Sequence, residues 1–307
     1  MKTTTICCLV ASKTPGYFTR ELPTLGSHDV QIRTLAGAVS IGAELPQWLE
    51  QDMTITDYHY PLETGYESYG EVMAVGDAVQ IVKPGDRVIS FYGHMDQAIV
   101  PDSKVLPVPL HIAPRKALLL ILSCDAAKGV RKLTLNPDSR VLVTGMGTIG
   151  LLAVHYLRHY FNVRQIDVIE PLASRAESAR QLGADVVIPD SDVYDVAIEC
   201  SGRQAAFAEL QSAVRPHGTI CVLSDGNREA LTLTPAFHAK ELQIVASSDG
   251  WDYRKHADWF FADERLATLP NLFEQETTFS NLANCFASLM QSTQLPIKVF
   301  VDYDKTS

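Results

Sequence analysis

The chain has 307 residues, 46% apolar and 20% charged, with a formal net charge of −10, so it is long enough for two domains and a substantial core. An acidic balance without a Lys/Arg cluster excludes a nucleic-acid partner, and neither the short apolar stretch 6–11 nor any other reads as a signal peptide or a membrane span. Six cysteines at 7, 8, 124, 200, 221 and 285 show no C-x-x-C spacing and fit a reducing, cytoplasmic setting.

In chain order, residues up to about 113 read as many short strands with little helix. Stretches 3–10 and 29–35 have strand composition, and Lys83-Pro-Gly-Asp86 is a turn that suits the dihedral preferences of its Pro and Gly. A helix is expected over 117–133, then a strand at 140–144, a glycine turn, and an amphipathic helix through 157. Strand and helix alternate from there: strands near 165–170, 183–188, 194–202, 218–224 and 242–248, helices near 173–182 and 205–214. That alternation predicts an α/β, doubly wound parallel sheet of the Rossmann type. A helix from about 253, a Pro-containing break at 269–270, a helix over 280–290 and a strand at 297–301 complete the chain.

Gly145, Gly147 and Gly150 fall in the G-x-G-x-x-G pattern between strand and helix. The first permits a tight turn, the second lets a pyrophosphate approach the backbone, and the third lets the helix pack on its strand. Thr148 and Ile149, at the start of that helix, lie where unpaired amides face the phosphates. Glu170 ends the next strand, where a carboxylate accepts hydrogen bonds from the adenosine ribose and repels a 2′-phosphate. NAD is therefore expected rather than NADP. Arg175 either attracts that phosphate or is a solvated helix residue. Ser201, Gly202, Ser224 and Ser247 follow successive strand ends, on the side where such sheets bind ligands, although any of them could be turn chemistry.

The segments Gly65-Tyr-Glu-Ser-Tyr-Gly-Glu-Val-Met-Ala-Val-Gly76 and Lys83-Pro-Gly-Asp-Arg-Val88, ahead of a Rossmann unit, resemble the medium-chain dehydrogenase/reductase superfamily. The resemblance covers nearly the whole chain. It implies a GroES-like β-rich catalytic domain over 1–113, a Rossmann NAD-binding domain over 114–262 and a return to the catalytic domain over 263–307. It also implies a small-molecule substrate and allows a homodimer.

Many members carry a catalytic zinc held by Cys, His and a third Cys, Asp or Glu. Here Ile41 and Tyr66 stand at the first two positions and Ile121 at the third, with Cys124 or Asp125 if the alignment slips. Two aliphatic groups and a phenol cannot hold zinc, so no metal is expected. Stretches 39–45 and 60–70 most resemble the short zinc-free branch that includes hydroxyethyl-bacteriochlorophyllide dehydrogenase, which oxidises a secondary alcohol to a ketone.

By that resemblance Tyr66 is the hydrogen-bond donor to the reacting oxygen, Ser40 the second donor and Glu67 the group that orients the phenol or relays its proton. Alternatively Tyr66 fills the space vacated by zinc, and Glu67 and Glu44 are structural acids. Asp125 and Lys128 form a cleft-lining or a surface pair, and His94 is a proton relay or incidental. The expected activity is zinc-independent, NAD(H)-dependent interconversion of a secondary alcohol and a ketone. A zinc-free enoyl or quinone reductase, or a dinucleotide-binding protein without turnover, are the alternatives.

Overall fold

The computed structural model describes residues 2–262 and 267–303. The chain divides into two units, 1–119 with 273–307, and 120–272. The sequence places the divisions after 113 and 262, ahead of those after 119 and 272; residues 263–266 lie outside those described.

The first unit runs through β1 (Thr3–Ala11), β2 (Thr14–Glu21), β3 (Asp29–Val39), α1 (Ile41–Trp48), β4 (Leu62–Glu63), β5 (Ser68–Val75), β6 (Arg87–Ser90), β7 (Gln97–Pro101), β8 (Val105–Pro107) and α2 (Pro114–Ala117). The second unit follows with α3 (Leu120–Val130), β9 (Arg140–Thr144), α4 (Thr148–His159), β10 (Gln165–Ile169), α5 (Ala173–Gln181), β11 (Asp185–Val186) and β12 (Tyr194–Glu199). It continues with α6 (Gln204–Ala213), β13 (Val214–Val222), α7 (Pro235–Ala239), β14 (Gln243–Ala246) and α8 (Tyr253–Phe260). The chain then supplies the first unit with β15 (Phe273–Thr278), α9 (Leu282–Gln291) and β16 (Lys298–Asp302).

In the first unit β2-β1-β4 make one sheet, and β15-β16-β3-β5-β6-β8, with β7 also on β3, make a seven-stranded one. The alternation of strand residues buries Ile32, Val72 and Val88 in one cluster, while Val39, Leu45, Trp48 and Phe286 form another. Helix α1 was not expected, since Gly42 and Pro46 both lower helix propensity. Tertiary packing overrides that: Leu45 and Trp48 are buried, and the Trp48 ring stacks on Phe286 of α9 at 3.6 Å. Glu44 reinforces the first turn by accepting the Ser40 amide at 2.8 Å.

The second unit is a six-stranded parallel sheet in the order β11-β10-β9-β12-β13-β14. Numbered within the unit this is 3-2-1-4-5-6, the order of a doubly wound dinucleotide-binding sheet, whose direction of winding reverses between β9 and β12. Val141, Leu142 and Val143 are fully buried, as a strand covered on both faces requires. All six cysteines are free thiols.

Helix α8 buries His256 against α3, where its Nε2 lies 2.9 Å from the Ser123 hydroxyl and Nδ1 has no partner among the described residues. Burial, then the charges of Arg131 and His155, push its pKa from 6.5 down to about 3. A depressed histidine contributes stability in full above 6.5, and the contribution is lost as pH falls from there toward about 3, at about 1.4 kcal/mol per unit. Lowering the pH from 7 to 5 should therefore cost roughly 2 kcal/mol through this residue. Thermal melts of the wild type and His256→Gln should show a smaller acid-induced fall in the variant; equal falls would contradict it.

Candidate active site

The turn between β9 and α4 shows each glycine's role separately. Gly145 has φ +79°, and a Cβ there would lie 2.7 Å from the Ser201 Cα, so no side chain fits. A Cβ on Gly150 would lie 1.9 Å from the Gly145 carbonyl oxygen, so helix and strand pack without room for even a methyl group. A Cβ on Gly147 would meet nothing within 4 Å. The protein itself does not need glycine there; the open space faces outward, and a pyrophosphate closing on the backbone would fill it. Thr148 and Ile149 open α4, whose first turn directs amides and a partial positive charge at that space.

Glu170 follows β10 at the same end of the sheet. Its carboxylate accepts the Met146 amide at 2.7 Å and the Leu172 amide at 2.9 Å, which ties the glycine turn to the β10 terminus. Each oxygen keeps lone-pair capacity for a hydroxyl donor. Arg175, half-buried on α5, lies five residues on.

Across the switch point, Glu199 ends β12 and is fully buried. One oxygen accepts the Ser201 amide (2.7 Å), the Ser201 hydroxyl (2.5 Å) and the Gly202 amide (3.0 Å), while the other has no partner among the described residues. Ser201 is thus held as part of the turn. Sequence reading passed over Glu199, although an acid closing the apolar run 196–198 was a visible signal. The Ser224 and Ser247 hydroxyls, after β13 and β14, are buried without partners among the described residues. A polar depression of about 540 Å³ lies instead beside Asp195 and Gly218, at the amino ends of β12 and its neighbour. The glycine turn and the α4 terminus converge at the carboxyl ends of the strands, the side on which such sheets bind ligands.

In the first unit, Ser40 and Glu67 touch: the Ser40 hydroxyl donates to Glu67 Oε2 at 2.5 Å. Lys298 of β16 joins them, its Nζ 2.5 Å from the same oxygen and 3.0 Å from Ser40 Oγ. All three are buried, and Glu67 Oε1 has no partner among the described residues. Burial pushes the Glu67 carboxyl up, and the Lys298 charge pulls back only part of that shift. The cluster extends through Glu44, which bonds His94 Nε2 at 2.6 Å and the Thr64 hydroxyl at 2.9 Å, while Thr64 in turn accepts from Trp48 Nε1 at 2.7 Å. Burial raises the Glu44 carboxyl, but His94 and the hydrogen bonds outweigh it and leave the pKa below the ordinary range. His94 is thus part of the buried network rather than a loose loop residue. Tyr66 is half-buried between Gly65 and Glu67 in the segment leading into β5. In the second unit Asp125 accepts the Tyr253 hydroxyl at 2.7 Å, and Lys128 donates to the Ser248 carbonyl at 2.6 Å, so both fasten the loop after β14.

Two family models match the chain: the alcohol dehydrogenase GroES-like domain over 26–106 and the zinc-binding dehydrogenase domain over 148–262. L-threonine 3-dehydrogenase of Legionella pneumophila subsp. pneumophila is 25% identical over 260 residues, 69% of this chain and 75% of that protein. A zinc-binding dehydrogenase of Sinorhizobium meliloti 1021, bound to NADP, superposes with a TM-score of 0.83 at 17% identity, covering 99% of this chain and all of the other. The short chain alcohol dehydrogenase RspB of Escherichia coli CFT073, complexed with NADH, superposes with a TM-score of 0.82 at 19% identity, covering 98% and 99% of the two chains.

The second family's description implies zinc, and the residues present do not fit it. Ile41 is buried against Trp48 in the first unit's core, Ile121 is buried in α3, and Tyr66 offers only a phenol. Among the described residues no three His, Cys, Asp or Glu side chains are grouped to hold a metal ion.

Proposed function

We infer the activity from one premise, that the chain belongs to the medium-chain dehydrogenase/reductase superfamily. It is a zinc-independent, NAD(H)-dependent oxidoreductase that interconverts a secondary alcohol and a ketone, close in type to the zinc-free branch. The observation that carries the cofactor half is the glycine turn, with Gly147 facing open space beside the α4 terminus and Glu170 at the neighbouring strand end. Gly145, Gly147, Thr148, Ile149 and Gly150 would hold the pyrophosphate, Glu170 the ribose hydroxyls, and Ser201, Gly202 and Ser224 the far side of the crevice. Bound there, the nicotinamide would supply or accept the hydride.

On the first unit, Tyr66 donates a hydrogen bond to the substrate oxygen and gives it a proton as negative charge develops. Ser40 and Glu67, locked to Lys298, hold the segment that carries Tyr66. Mixing the protein with NADH or NADPH and a panel of ketones, enones and quinones tests the reading at the nicotinamide absorbance band. Ketone reduction that favours NADH is expected. A clear NADPH preference would overturn the Glu170 assignment, turnover of enones or quinones alone would favour the reductase reading, and binding without turnover a non-catalytic role.

A further inference from the structure

The loop after β13 carries a guanidinium that the reading above does not use. Arg228 is half-buried and makes no hydrogen bond or ion pair with any described residue, although charged side chains leave water only when something compensates them. Its stem lies over the carboxyl end of β12: a Cβ on Gly202 would be 3.7 Å from Arg228 Cδ and 3.7 Å from Ser224 Cβ. Ser224 there carries its unpartnered hydroxyl. Arg203, next to Gly202, is paired with Glu229 at 2.5 Å, and Glu229 also accepts the Gln204 amide at 2.8 Å, so the two loops are tied together. Burial, then the like charges of Arg203 and Arg175, hold the Arg228 pKa below its ordinary value. The Arg228 guanidinium therefore lies in the fields of Arg203 and Arg175, with Glu229 as the opposing acid. Glu229 is already bonded to Arg203 and to the Gln204 amide, whereas the Arg228 guanidinium bonds no acid among the described residues, and guanidinium groups match phosphate oxygens in pairs.

We propose that Arg228, flanked by Arg203 and Arg175, forms a phosphate-binding site over the carboxyl end of β12 that takes a phosphate of the dinucleotide. The proposal rests on the cofactor reading above. The phosphate is either the pyrophosphate shared by both dinucleotides or the 2′-phosphate that NADPH alone carries. Arg228 is the residue to test, because unlike Arg203 it makes no ion pair with an acid among the described residues.

The test is fluorescence titration of wild type, Arg228→Gln and Arg228→Lys with NADH, NADPH and inorganic pyrophosphate, with thermal melts to confirm that the variants fold. Losing one charge-assisted contact should weaken binding roughly tenfold to a hundredfold in Arg228→Gln, with partial recovery in Arg228→Lys. Equal losses for NADH and NADPH assign the site to the pyrophosphate; a loss confined to NADPH assigns it to the 2′-phosphate. Unchanged affinity for all three ligands in Arg228→Gln would overturn the proposal and leave the cofactor reading standing. Wild-type binding of pyrophosphate, lost in Arg228→Gln, without binding of either dinucleotide would instead remove the cofactor reading and keep the phosphate site.

Discussion

Gly147→Ala should fold normally and lose the dinucleotide, whereas Gly150→Ala should fail as a protein before its affinity can be read. The two substitutions add the same methyl group three residues apart, and their surroundings decide the outcome. At Gly147 the new Cβ meets no protein atom within 4 Å, and the backbone is extended with φ −79°, which alanine adopts freely. Weakening this N-cap position costs about 1 kcal/mol, a shift of a few degrees in melting temperature. The same methyl group stands where phosphate oxygens would approach the helix amides, and losing several charge-assisted bonds should reduce NADH affinity roughly a hundredfold or more. At Gly150 the Cβ would sit 1.9 Å from a backbone oxygen, so the glycine turn itself must move. Melting curves and NADH titrations of both variants separate the effects. A Gly147→Ala protein that binds NADH as the wild type does would show that no pyrophosphate lies against this turn.

The contrast explains why the candidate cofactor site was legible in the sequence and the other candidate site much less so. Gly145, Gly147, Gly150 and Glu170 lie within one strand-turn-helix-strand unit, and each role follows from local backbone geometry. The alternation of strand and helix marks the second unit as an open doubly wound sheet, but its strand order is fixed by tertiary pairing that the alternation does not specify. The buried network of the first unit is assembled from Ser40, Glu67 and Lys298, the last 258 residues from the first, and no local pattern marks a lysine in β16 as the partner of an acid ahead of β5. Helix α1 escaped notice because the packing of Trp48 on Phe286, a contact between distant segments, outweighs its poor propensity. Arg228 escaped notice as well, since its neighbours come from separate loops that the pairing of parallel strands brings together.

Tyr66→Phe should lower kcat by about 10²–10³ while leaving NADH affinity and melting temperature close to the wild type. The phenol is half-buried in the segment that also carries the buried Thr64 and Glu67. Ser40 and Glu67 are committed to Lys298, which leaves the donor for the reacting oxygen to come from outside that cluster. Removing one hydroxyl deletes no packing volume, and a loss in kcat at constant cofactor affinity is what a donor acting on the developing charge gives. Wild-type turnover in Tyr66→Phe would mean that Tyr66 only fills space and that a water or the cofactor's own ribose hydroxyl supplies the proton.

Turnover without metal is the claim on which the rest depends. Its most direct measurement is the rate of NADH-linked ketone reduction before and after exhaustive chelation, with bound metal quantified by mass spectrometry in the same samples. Undiminished turnover in protein free of metal is the expected result. Loss of activity on chelation, restored by stoichiometric zinc, would contradict it.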